Sequence, residues 1–203
     1  MQKRLISYGF IVVLLEVVIY FFSVSMSDQD AVKYSLASRY SARVTLVLLE
    51  GLLLWTAISG LKSIFSTQKG QKTFVLLLSL ILLNHLIHLV FLVTNHWVND
   101  YQLFTLRTAG GMIGYVVLIL SPVYLNSQKK FSISLYWKLI GALLIVDSIA
   151  FISYIGRWNK ELPLASSKEV YIGIMGCIVV ILLMNVYRIF AERKIELKST
   201  FDE

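Results

Sequence analysis

The sequence predicts an all-α fold, an integral membrane bundle of six transmembrane helices with both termini in the cytoplasm. Three observations carry that expectation. Hydrophobic residues make up 57% of the 203 and the mean hydropathy is +0.73, too apolar for a soluble domain of this length. The apolar residues gather in six runs of about 20, the length that crosses a hydrocarbon layer of about 30 Å. Each run must be a helix, because an open strand in lipid leaves backbone N–H and C=O groups unpaired at several kcal/mol each.

The first run, 5–23, follows Lys3-Arg4. Its apolar part exceeds the roughly 7–15 residues of a signal-peptide core and no Ala-x-Ala site follows Phe22, so it is read as a retained helix. A longer connection, 24–43, leads to the second run, 44–64. Its Ser-Met-Ser-Asp-Gln-Asp portion reads as loop and its 34–40 portion as a short interfacial helix. The third run, 74–94, contains Asn84-His85-Leu86-Ile87-His88, and the fourth, 108–125, contains Gly110, Gly111 and Gly114. Gly110 and Gly114 form a small-xxx-small pair that lets a neighbouring helix come close. Pro122 removes a helical hydrogen bond and is expected to bend this span near its inner end. The fifth run, 133–155, carries Asp147 about halfway along. The sixth, 170–190, holds Cys177, the single cysteine, which leaves neither a disulfide framework nor a thiolate metal site. The tail 192–203 mixes charges and reads as a frayed end. Together the six runs form one transmembrane domain, 1–203.

Orientation follows from Lys and Arg. With the N-terminus inside, Lys3, Arg4, Lys62, Lys69, Lys72, Lys129, Lys130, Lys138, Arg188, Arg193, Lys194 and Lys198 are cytoplasmic. Lys33, Arg39, Arg43, Arg107, Arg157, Lys160 and Lys168 are then outside, a division of 12 against 7 among the 19. The short inside loops carry no acid, whereas Asp28, Asp30, Asp100, Glu161 and Glu169 dilute the outer cations. Tyr34, Tyr40, Trp97, Tyr101, Trp158 and Tyr171 fall near the outer boundary, where amphipathic rings favour the headgroup zone. The net charge of +7 is thus explained by topology, and a nucleic-acid partner is excluded for want of a soluble basic face. The partner is the lipid bilayer, and the location a plasma membrane or bacterial inner membrane.

Chemistry is sought among polar residues inside the spans: Glu16, Glu50, His85, His88 and Asp147. An acid at the membrane centre costs about 2.5–3.5 kcal/mol and is kept where it meets a partner, a cavity or a cofactor. His85 and His88, at i and i+3, share a helix face. Two imidazoles on one helix are short of the three or four ligands a transition metal wants, with His96, Glu50 and Asp147 as candidates for the rest. Haem iron asks one imidazole from each of two facing helices. The structural alternative is a hydrogen bond between Asp147 and His85 or His88 that fixes helix pairing.

Four segments taken in order carry a resemblance: Tyr40-Ser-Ala-Arg43-Val-Thr-Leu-Val-Leu-Leu-Glu50, Asn84-His-Leu-Ile-His88, Arg107-Thr-Ala-Gly-Gly-Met-Ile-Gly-Tyr115 and Tyr136-Trp-Lys-Leu-Ile-Gly141. Over roughly residues 38–156 the chain resembles the ferric reductase-like transmembrane family, which includes haem-b subunits of bacterial methionine-sulfoxide reductases. The resemblance implies six spans, haem b between the third and fifth, and electron transfer across the membrane from a quinone or a redox protein. It implies His88 or His85 as axial ligand; Arg43 and Arg107, at outer helix starts, are read as snorkelling to phosphate headgroups or, in a haem protein, as pairing with propionates. The chain departs from the family where a fifth-span histidine is expected, because those positions hold Gly141 and Tyr154. Tyrosine can ligate haem iron, but ligation by two histidines cannot be rebuilt from these residues, so haem would be five-coordinate, assisted by Tyr154, completed by a partner subunit, or absent.

Three functions stay open on this reading. One is a haem-b electron-transfer protein, a second a haem-free accessory or assembly subunit of the same fold. The third is a proton-coupled transporter with Glu16, Glu50, His85, His88 and Asp147 as relay groups. Against the third stands the lack of a recognisable inverted repeat. No segment outside the spans is long enough for a nucleotide-binding βαβ unit, so an electron donor would be separate.

Overall fold

Long apolar sequences propagate as helices, and here they do so for most of the described residues, through Pro122 of α5 included. A computed structural model describes residues 2–102, 106–127, 133–158 and 166–201, and all regular structure in them is helical. The elements are α1 (Gln2–Ser25), α2 (Asp30–Ser59), α3 (Leu61–Phe65), α4 (Gln68–Val98), α5 (Leu106–Ser127), α6 (Ile133–Trp158) and α7 (Lys168–Phe201). Five of them, all but α3 and α5, are long and apolar enough to cross a membrane, and the apolar part of α5, Gly111–Leu125, is shorter.

The distribution of side chains is that of a protein solvated by lipid. Ile6, Phe10, Val47, Ile58, Val90, Ile152, Leu183 and Phe190 point outward. Inside lie Glu16, Ser41, Glu50, Asn84, Asp147 and Asn185. In water the outward set would be exposed at a cost of roughly 1.5–3 kcal/mol per large apolar side chain. Within hydrocarbon it costs nothing, which explains its scale.

Helix α2 is the hub, packing against α1, α3, α4, α6 and α7. Helices α2, α4, α5 and α6 close into a ring in which each packs on the next, with α4 and α6 diagonal. The small helix α3 packs on α2, α4 and α6 at one end of this ring. There Phe65 stacks on Tyr136 and meets Phe74 edge-on, and Trp55 lies against Phe74. Leu49, Leu53, Leu78, Ile81, Leu118, Ile140 and Leu143 continue the same apolar cluster into the ring. That half of the ring is filled and that end is closed.

Three expectations are corrected. The second span was expected over 44–64 behind a loop and a short interfacial helix. Instead α2 begins at Asp30, and only four residues, 26–29, separate it from α1. Its first turns lack proline and glycine, and Leu36, Ala37, Ser38 and Ser41 are buried against the bundle, so packing carries the helix through a charged stretch. The inner limit also moves. The helix stops at Ser59 because Gly60 adopts φ 77°, and 61–65 forms the separate α3. Finally, the tail is helical to Phe201, with Glu192 buried and paired to Arg188 at 3.1 Å.

Candidate functional site

Helix α2 sets the polar interior, because its small polar residues recur at helical spacing. Ser41 Oγ donates to Glu16 Oε1 of α1 at 2.9 Å. Asn84 of α4 donates through Nδ2 to Thr45 Oγ1 at 2.9 Å and to the Ser41 carbonyl at 3.2 Å. One asparagine, one serine, one threonine and one glutamate thereby tie three helices together. Glu16 Oε2 and Asn84 Oδ1 remain without a hydrogen-bond partner in the protein.

His85 follows Asn84 directly on α4, and His88 comes one turn further along. Their rings lie 5.5 Å apart on one face, as the i, i+3 spacing requires. His85 packs against the Tyr115 ring of α5 at 4.0 Å, and His88, 9% exposed, lies beside the Ser38 backbone of α2. Nδ1 of each ring is buried and unpartnered. His96 closes the helix near Tyr101, its ring 5.9 Å away.

Asp147 does not meet a histidine. It is fully buried, and its carboxyl lies within hydrogen-bonding reach of Glu50, itself 9% exposed. The expected Asp–His bond is replaced by an acid pair, because α6 reaches α2 directly while its contact with α4 runs through neighbours on the ring. All four carboxyl oxygens lack a donor from the protein. Ionised carboxylates only accept, so the two can bond to each other only through a proton on one of them. Leu49, Leu53, Leu143 and Val146 flank the pair in the apolar cluster.

Toward the N-terminal end of α2 the arginines are held by neighbours. Arg43 donates to Ser166 at 2.7 Å and lies over the Tyr40 ring at 5.3 Å. Arg157 sits over the Tyr154 ring at 5.8 Å, and Tyr154 is buried against Tyr171, Leu46 and Met175. Arg107 and Gly110 lie outside the described side chains. Gly114 faces Val146 of α6, where an added methyl would make ordinary contact at 3.6 Å, so the approach of these helices does not require a glycine there.

A bis-ligated haem does not fit these residues. The unpartnered Nδ1 atoms of His85 and His88 suit a ligand, but the two described positions expected to supply a second axial ligand do not offer one. Gly141 has no side chain, and the Tyr154 hydroxyl is drawn toward Arg43. Tyr115 packs against the His85 ring. Among the described residues no three His, Cys, Asp or Glu side chains gather closely enough for a metal ion.

Sequence reasoning passed over one polar link at the other end of α2. Asn185 Oδ1 accepts from Thr56 Oγ1 at 2.8 Å, and its Nδ2 donates to the Leu53 carbonyl at 3.0 Å. The signal was an amide in mid-run between apolar residues of the last span. No protein-family model, no curated protein and no solved structure matches this chain.

Proposed function

We propose that the chain is a six-span plasma or bacterial inner membrane protein with both termini cytoplasmic, and that it works as a proton-conducting membrane protein. Six spans follow if α5 crosses with the five longer helices, and the bias of Lys and Arg then sets the orientation. The observation that carries the proton reading is the pair Glu50 and Asp147. Two acids from different helices are brought together in the apolar interior with four oxygens lacking a donor. Two bare negative charges about 4 Å apart would repel by about 4 kcal/mol even at an effective dielectric of 20. A proton between them removes that cost and makes the pair a place where a proton is held and passed.

The remaining intramembrane groups support the same reading. Glu16, His85 and His88 each keep one buried polar atom unpaired, and groups of this kind mark proton pathways. A helix-pairing role alone would be served by the satisfied arrangement seen at Asn185 and Thr56. The aromatic seal of Trp55, Phe65, Phe74 and Tyr136 closes one end, so water approaches the acid pair from that side only after α3 moves.

The test is proton flux. Purified protein in liposomes with a trapped pH dye, under an imposed gradient, should pass protons, and Asp147→Asn should cut the rate on the order of tenfold or more. Equal rates in wild type, variant and empty liposomes would end the proposal.

One observation favours a second reading, a haem-b electron-transfer protein of the ferric reductase kind. It is the pair of buried, unpartnered Nδ1 atoms on His85 and His88. A reduced-minus-oxidised spectrum with haem counted per chain decides it. Stoichiometric b-type haem, lost in His88→Ala with the protein still folded, would replace the proton reading.

A further inference from the structure

Helices α1 and α4 pack against each other, and neither has an acid in its first turn. Neither helix therefore brings a carboxylate to offset the positive end of its own dipole. Cations are added where anions would be expected: Arg4 from α1, and Lys69 and Lys72 from α4. These three line an open cleft of about 370 Å³ with Gln68, Thr73 and Leu76. No acid lines it. Arg4, Lys69 and Lys72 are all exposed, so their charges are presented to the cleft mouth. Gln68 and Thr73 add uncharged donors, and Leu76 carries the wall into the apolar part of α4.

Thr67 caps α4 by accepting from the Gly70 N–H at 3.0 Å. The cap consumes one of the free amides and adds no negative charge. The three cationic side chains thus make a local excess of positive charge at the level where a span of about 20 residues meets the headgroups.

We propose that this cleft binds the phosphate headgroup of an anionic phospholipid, with an acyl chain lying along Leu76. The chemistry recognised is a phosphate monoanion at the membrane surface, met by three cations and two uncharged donors. Clusters of basic residues between spans bind such headgroups with about 1 kcal/mol from each Lys or Arg. The proposal takes from the preceding reading only that the bundle spans a bilayer, and it stands or falls apart from the proton route.

The experiment is retention of lipid by the intact chain in detergent, read by native mass spectrometry with dioleoyl-phosphatidylglycerol and dioleoyl-phosphatidylcholine as probes. Wild type should retain the anionic lipid in preference to the zwitterionic one. Lys69→Gln with Lys72→Gln should weaken that retention on the order of tenfold. Lys62→Gln with Lys138→Gln, the same charge change on α3 and α6, should leave it intact. Equal loss in both double variants would assign the effect to general surface charge and overturn the site. Equal retention of the two lipids by wild type would overturn it as well. Displacement of the lipid by an equal concentration of glycerol phosphate would assign the cleft to a soluble anion and overturn the lipid. Proton flux that persists while lipid selectivity is absent would show that this proposal alone has failed.

Discussion

At Gly60 the backbone takes φ 77°, and a Cβ there would run into the guanidinium of Arg188 and the carboxylate of Glu192. Arg188 also reaches the Ser59 carbonyl, so the C-terminal end of α2 is held by α7 at the residue where the chain turns. Gly60→Ala should lower stability on the order of 1–3 kcal/mol. Unfolding in detergent would show it, and an unchanged midpoint would contradict the account. The acid pair calls for the opposite behaviour. Glu50→Gln supplies Asp147 with an N–H donor in place of a shared proton, so the fold should survive with its midpoint kept or raised while proton flux is lost. A collapse of both together would mean that Glu50 serves packing. His85, His88, Glu50 and Asp147 were visible as intramembrane ionisable residues, because the other charged residues of those runs, Lys62 and Lys138, lie near the inner ends. Their partners were not visible. Which acid faces which group depends on how α2, α4 and α6 rotate against one another, and periodicity in runs that are apolar all round does not fix a rotation.

Helices here are joined by small polar contacts as much as by apolar fit. Asn185 links α7 to α2 through Thr56 and the Leu53 carbonyl, and Asn185→Leu should cost about 0.6–2 kcal/mol of bundle stability. The unfolding midpoint of the purified variant checks it, and a gain in stability would contradict the role. The existence of the spans was legible from hydropathy, whereas their limits were not. With 30 residues, α2 is about 45 Å long, well beyond a hydrocarbon core of about 30 Å. Its charged first turns lie past the apolar run that announces it. The Asp30–Lys33 pair at 3.0 Å and the burial of Leu36 and Ala37 hold those turns helical. At the other end an apolar count runs straight through Gly60, since composition does not register a positive φ. The glycine was the available signal.

For the molecule as a whole, the arrangement is a ring of four helices, α2, α4, α5 and α6, braced by α1 and α7 and closed at one end by α3 and its aromatic contacts. With six spans and both termini inside, an impermeant maleimide should label Asp28→Cys and Asp100→Cys from outside intact cells, and Ser66→Cys only after permeabilisation. These variants belong in a Cys177→Ser background, since the native cysteine is exposed on the bundle surface. Labelling of all three from one side would overturn the topology. The claim on which the rest depends is that the buried acids of α2 and α6 hold a proton between them. Infrared absorption of the reconstituted protein at neutral pH tests it most directly. A carbonyl band of a protonated carboxyl should be present in wild type and missing from both Glu50→Gln and Asp147→Asn. Wild type and variants alike in that region, with the two acids contributing carboxylate bands instead, would contradict the account.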